Sequence, residues 1–200
     1  MKRALLVILP LLLAACGEPA VNPDPNHTHA DFAVWVDGQK LDFSGELFMS
    51  GSSKDEPGGP HENEQHKHPY FHLHDGVGHV IHRHKPGLTL GDFFGSLPFS
   101  SAYSGSQLSF ADSPVGKETY EVRLFVNGTV NLDGSRYVFN DDDHLLITNA
   151  TQDDEVTSQL HLLTDDSCLY SRTCPERGDP PAENCIADPE VPCVVPEGDL

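Results

Sequence analysis

The sequence predicts an α+β fold, mostly antiparallel β-hairpins with one packed helix and a disulfide-containing, irregular C-terminal tail. Three observations carry this. Short alternating apolar runs flank the turn signals Asp37-Gly38 and Asn127-Gly128, the strongest short-range marks of a hairpin. One stretch, around Thr89 to Leu97, combines a capping pattern with helical apolar spacing. The last 36 or so residues hold four cysteines, six prolines and nine acids and have almost no periodicity.

The elements follow in chain order. Lys2 and Arg3 precede an apolar run, Leu5 to Leu13, interrupted only by Pro10, and then Leu13-Ala14-Ala15-Cys16. Charge, apolar core and small residues in that order predict a secretory signal over residues 1–15. The run is too short for the roughly 20 residues of a spanning helix. Leu-Ala-Ala-Cys resembles the bacterial lipobox. That resemblance implies that Cys16 is acylated and becomes the mature N-terminus, so the protein is anchored to a membrane by lipid, facing the periplasm or the cell surface. Residues 16–26 carry Pro19, Pro23 and Pro25 and read as a lipidated, extended tether.

Residues 27–164 read as one histidine-rich α+β domain. A strand is expected from Ala30 through Val36, returning from Gln39 to Phe43. Residues 50–68 are polar and glycine-rich and read as a loop. Tyr70 to His74 and His79 to His84 read as a hairpin about Asp75-Gly76-Val77-Gly78. Thr89 caps a helix with Asp92 three residues on; Leu90, Phe93, Phe94 and Leu97 form its apolar face, between Pro86-Gly87 and Pro98. Tyr120 to Val126 is expected as one strand and Thr129 to Leu132 as its partner. Arg136 to Phe139 and His144 to Thr148 are expected to pair across Asn140-Asp141-Asp142-Asp143. Residues 165–200 form the tail.

Composition narrows the partners. The formal charge of −19 becomes −21 once Lys2 and Arg3 are removed. Such a surface repels phosphate backbones and excludes nucleic acid as a natural partner; it suits cations, as metals or basic proteins. Besides Cys16, the cysteines are Cys168, Cys174, Cys185 and Cys193. Four in an exported chain predict two disulfides in any of three pairings. There is no Cys-x-x-Cys, which argues against a thioredoxin-type site.

Histidine is the outlier: twelve in all, eight of them between His61 and His84. His27-x-His29, His66-x-His68, His72-x-His74 and His82-x-His84 repeat one spacing. On a strand, residues two apart share a face, so each pair on a strand is a two-imidazole claw. With a five-residue loop, Asp75 to His79, His72 lies across from His82. His72, His74, His82 and His84 then share a face, with Val80 among them, while Phe71, Leu73 and Ile81 take the other; a one-residue slip would split the set. These four are the expected first ligands, with His27 and His29 completing the set. The loop His61 to His68 would be a chelating arm, and Asp31 and Asp75 ligands or supporting partners. Imidazole and carboxylate suit zinc first, copper(II) or nickel next. His61-Glu62-Asn63-Glu64-Gln65-His66 misses the His-Glu-x-x-His spacing by one place, so no zinc-protease helix is expected and no catalytic residue is assigned.

The stretches HTHADFAVWVDGQKLDFSG, HLHDGVGHVIHRHKPGLTLGDFF and CLYSRTCPERGDPPAENC resemble segments of an uncharacterised family of histidine-rich exported proteins. The order of hairpin, helix and returning strands is similar to β-grasp folds by pattern. The function expected is capture, buffering or handover of a divalent metal, zinc favoured. A metal-dependent hydrolase with histidine-ligated zinc is one alternative; a surface interaction protein whose histidines sense pH, with a protein partner, is the other.

Overall fold

The computed structural model describes residues 20–49, 70–113 and 116–179. Residues 1–19 with Cys16, the arm with His61, His66 and His68, and Cys185 and Cys193 lie outside the described residues. The chain is α+β and mostly antiparallel, as expected. Its strands are β1 Thr28–Val36, β2 Gln39–Lys40, β3 Phe71–His72, β4 Val80–Arg83, β5 Ser101–Ser104, β6 Gln107–Ser113, β7 Gly116–Glu121, β8 Arg123–Val126, β9 Thr129–Asn131 and β10 Asp143–Thr148. The helices are α1 Leu90–Ser96, α2 Asp153–Leu160 and α3 Ser167–Tyr170.

β1 organises the larger sheet, whose order is β3-β4-β1-β10-β8-β9 with β2 on the end of β1. Its first half pairs antiparallel with β4, from Thr28 opposite Arg83 to Asp31 opposite Val80. Along its other edge it runs parallel to β10, Ala30 beside Asp143 through Trp35 beside Thr148. A strand covered on both faces reads as a nearly continuous apolar run, which is what Ala30 to Val36 offers apart from Asp31. The first and last of the described strands thus lie side by side at the centre, with α1 across one face. The smaller sheet is β5-β6-β7.

The two faces of the main sheet have different cover. On one, Phe32, Val34, Phe71, Leu73, Ile81, Leu124, Leu145 and Ile147 join Leu90, Phe93 and Phe94 of α1 and Tyr103, Leu108 and Phe110 of the smaller sheet in the main core. On the other, Trp35, Phe125 and Leu146 pack under Val156 and Leu160 of α2. Further along that second face come the histidines, under α3.

Local chemistry explains several elements. The Thr89 side chain accepts from the Asp92 amide at 3.2 Å while the Asp92 carboxylate accepts from the Thr89 amide at 2.8 Å, the reciprocal box expected for α1. Asp37-Gly38 and Asn127-Gly128 all have positive φ, which a type I′ hairpin turn requires. At Gly78 a Cβ would lie 2.3 Å from the Ser44 nitrogen, so only glycine lets the β3–β4 loop sit against that backbone.

Three expected strands come out differently. Tyr120 to Val126 is two strands in two sheets, broken at buried Val122, whose amide bonds Ser106. Arg136 to Phe139 is not a strand. The chain makes a 3₁₀ turn at Gly134–Arg136, and the Asp143 carboxylate gathers the Tyr137 hydroxyl and the Asn140 amide at 2.7 Å each. β10 therefore pairs with β1 and β8 instead. The return strand from Gln39 is regular only to Lys40. β5, β6, most of β7 and the helices α2 and α3 had no counterpart in the sequence pattern, which predicted one helix and an irregular tail from residue 165.

Candidate metal centre

The β3–β4 register places His72 opposite His82. The β1–β4 register places His29 opposite His82. One row of imidazoles therefore crosses three strands on one sheet face. His27 and His84 extend it in one direction, just outside β1 and β4, and stack on each other with ring centres 3.9 Å apart. His74 follows β3 in the other direction and lies 3.9 Å from His82, centre to centre. Val80 and Asp31 continue this face beyond the row, so the histidine face ends at an aliphatic and a carboxylate.

The six histidines named from the sequence thus meet in one cluster. His29, His72, His82 and His84 are buried; His27 and His74 are partly open. His82 is the hub, with ring centres at 4.8 Å to His29, 6.2 Å to His27, 6.3 Å to His72 and 3.9 Å to His74. His27, His29 and His82 each bring a ligand nitrogen within 4.8 Å of the other two, close enough to share a metal ion. The sequence predicts His27 and His29 only as completing ligands; in the structure both stand with His82 within ligand-sharing distance.

Hydrogen bonds indicate which nitrogens face inward. The Ser171 hydroxyl donates to Asp141 Oδ1 at 2.6 Å, and a hydroxyl has one proton. The 2.8 Å contact between Ser171 Oγ and His29 Nδ1 is therefore donated by His29. That leaves His29 Nε2 with its lone pair, 3.0 Å from His27 Nε2. By the same logic His74 Nδ1 donates to the Asp75 carboxylate at 2.7 Å, and His74 Nε2 accepts from His82 Nδ1 at 3.2 Å. A carboxylate behind the outer nitrogen is the usual support of a metal-binding imidazole. Asp75 takes that supporting place, and Asp141, unread in the sequence, takes it through Ser171. Asp141 is itself held by Asn22 Nδ2 at 3.0 Å and by the His29 amide at 2.9 Å.

Burial sets the charge state. It pushes His29 down to about 3, against the pull of Asp141 and helped by nearby His74. Burial first, then the surrounding histidines, hold His82 and His84 well below the ordinary imidazole range. At neutral pH these rings are neutral, the form that binds metals.

α3 closes the site. Tyr170 packs its ring 4.8 Å from His82, 5.6 Å from His29 and 6.3 Å from His74. Cys168 and Cys174 are disulfide-bonded and enclose Tyr170 and Ser171 in the loop between them. Asp31, weighed as a ligand, is fully buried and caps α3, accepting from the Asp166 and Ser167 amides at 3.0 and 2.8 Å and from the Thr164 hydroxyl. Asp31 also stands within metal-sharing reach of His144 with Asp165 and of His79 with Asp166. There His144 pairs with Asp165 at 3.2 Å, His79 with Asp166 at 3.0 Å, and Arg177 bridges to both aspartates. This second assembly clamps the start of α3.

Tyr170, Ser171 and Asp141 had no signal in the sequence, because each reaches the histidines from far along the chain, Asp141 and Ser171 meeting His29 across 112 and 142 residues. No protein-family model, no curated protein and no solved structure matches the chain. Among the described residues no helix is long and apolar enough to cross a membrane.

Proposed function

We propose that this chain is an exported, lipid-anchored protein that binds a divalent transition metal through its histidine face and serves its capture, buffering or handover. The observation that carries the reading is the convergence of His27, His29 and His82, with ligand nitrogens within 4.8 Å of one another. The supporting chemistry is consistent. The donors are imidazoles, of which burial keeps His29 and His82 neutral, and among the described residues both cysteines, Cys168 and Cys174, are held in a disulfide. Zinc is favoured, with copper(II) and nickel next. Burial under α3 suits holding an ion more than turning over a substrate. The signal pattern ending at Cys16 supports export and lipid attachment, and a disulfide fits an oxidising compartment.

The test is metal analysis and calorimetric titration of the full chain beside a His27→Ala/His29→Ala variant. The parent should bind zinc at micromolar concentration or tighter, and the variant at least tenfold more weakly. Binding no better than millimolar in the parent, or equal binding in a folded variant, would overturn the reading.

A further inference from the structure

Asp31 carries a buried charge that its neighbours do not balance. Its side chain is fully buried, and its hydrogen-bond donors, the Thr164 hydroxyl and the Asp166 and Ser167 amides, are neutral. A buried carboxylate ordinarily pairs with a cation or coordinates a metal. Among the described residues no cation forms an ion pair with it. His79 and His144 reach Asp166 and Asp165 instead, and Arg177 reaches the same two aspartates. With the imidazoles counted as neutral, three carboxylates face one guanidinium, and the two negative charges left over match a divalent ion. Next to Asp31, the Ser167 hydroxyl is fully buried without a hydrogen-bond partner among the described residues, a group that a water on such an ion would satisfy.

The fold gathers three ligand atoms here. The β1–β4 pairing ends with Asp31 opposite Val80, and the Phe32 amide donates to the His79 carbonyl at 2.8 Å, which sets His79 beside Asp31. The entry to α3 supplies Asp166. Asp31, His79 and Asp166 each bring a ligand atom within 4.8 Å of the other two. Metal bonds of about 2.1 Å meeting at about 90 to 109° put neighbouring ligand atoms roughly 3.0 to 3.4 Å apart. His79 Nε2 and Asp166 Oδ2 are 3.0 Å apart. Asp166 divides its oxygens. Oδ2 faces His79, while Oδ1 accepts from Arg177 Nη2 at 2.8 Å, so the guanidinium supports the carboxylate and leaves the inner oxygen to an ion. Asp31 Oδ1 accepts two hydrogen bonds and Oδ2 accepts one, so Oδ2 keeps a lone pair for coordination. Asp31 is the floor of the site. The His79 and Asp166 side chains, 33 and 34% exposed, are its rim and its way in.

We propose that Asp31, His79 and Asp166 bind one divalent cation, at a site separate from the histidine face and independent of the reading given to that face. Two carboxylates and one imidazole suit manganese(II) or zinc; magnesium and calcium prefer oxygen throughout. Three protein ligands and a rim open to solvent make this the weaker site, so zinc that saturates the histidine face leaves it largely empty. Binding takes the proton off His79 Nε2: a neutral ring carries it on Nδ1 instead, and a charged ring gives one up to solvent. The bound ion ties β1 and the start of β4 to α3.

The experiment titrates the full chain with manganese(II) and reads the free ion by electron paramagnetic resonance. The expected result is one ion per chain with a dissociation constant on the order of 0.1 mM, the tight end of the range for carboxylate sites of extracellular modules. His27→Ala/His29→Ala and His144→Ala should keep that ion. His79→Ala and Asp166→Asn should each bind at least tenfold more weakly, with folding checked by circular dichroism. In the parent, manganese should broaden the His79 imidazole resonance ahead of those of the histidine face, a readout that stands even where a variant fails to fold. Binding weaker than about 10 mM, equal binding in a folded His79→Ala, or no preferential broadening at His79 overturns the inference. So does loss of the ion in His27→Ala/His29→Ala or in His144→Ala while His79→Ala keeps it. Each of these results leaves the histidine-face reading standing, because zinc titration tests that separately.

Discussion

At the scale of single residues, the His29 ring shows how the fold prepares a ligand. Its Nδ1 proton is committed to Ser171, whose own proton is committed to Asp141, and Nε2 is left facing His27. Removing the hydroxyl frees the ring to change tautomer and leaves Asp141 one donor short. Ser171→Ala is therefore expected to weaken zinc binding by roughly 10- to 100-fold, the usual cost of losing such a support, with secondary structure unchanged; competition against a chromophoric chelator measures it. An unchanged affinity would make Ser171 a packing residue only. The same burial that keeps these rings neutral sets a pH dependence. The folded His29 value is about 3, below its unfolded value of about 6.5. Between those values the unfolded chain binds more protons, so stability of the metal-free protein rises with pH across that window. His82 and His84 act in the same direction. Urea denaturation should show stability falling as pH drops from about 6.5 toward 3; a flat profile through that window would contradict the buried, neutral cluster.

At the scale of elements, α3 joins the tail to the site. Asp31 caps it from β1, Arg177 and the two His–Asp pairs clamp its start, and the Cys168–Cys174 disulfide closes the loop that presents Tyr170 and Ser171. Cys168→Ser/Cys174→Ser should leave the sheet intact but loosen this cover. Zinc extraction by excess chelator should then be faster by on the order of tenfold, the lower end of what losing a ligand support costs; an unchanged rate would show that Asp31 and the ion pairs alone hold α3 in place. What the sequence revealed at this scale was local. The His-x-His period, the shared face of His72 and His82, the two Asx-Gly turns and the Thr89 box each depend on neighbours a few residues apart, and each is present. What it hid depended on distant pairing. The split of Tyr120 to Val126 is decided by two sheets competing for one segment, and β10 chose β1 and β8 over Arg136 to Phe139 because side chains from Tyr137 to Asp143 fold that turn inward. His27 and His29 were ranked below the central hairpin because nothing local shows that β1 lies against β4.

At the scale of the whole molecule, the candidate centre is a tie between parts far apart in the chain. His27 and His29 come from the entry to β1, His72 to His84 from the central hairpin, and Ser171 with Tyr170 from the disulfide loop. An ion bound there holds only in the folded arrangement, since the unfolded chain scatters these groups. Binding therefore adds to folding stability by linkage, about 2.7 kcal/mol at a free metal concentration one hundred times the dissociation constant. A chain of this size shifts its melting temperature by roughly 2–4 °C per kcal/mol, so zinc at that excess should raise Tm by about 5–11 °C. The acidic surface, with a formal charge of −19, draws any cation weakly, and magnesium at the same ionic strength controls for that. Scanning calorimetry of the parent with chelator, magnesium or zinc, and of His27→Ala/His29→Ala with zinc, separates the contributions. A shift given by zinc alone and lost in the variant is the expected outcome. Equal shifts from magnesium and zinc would reduce the histidine face to a folded surface without a specific metal.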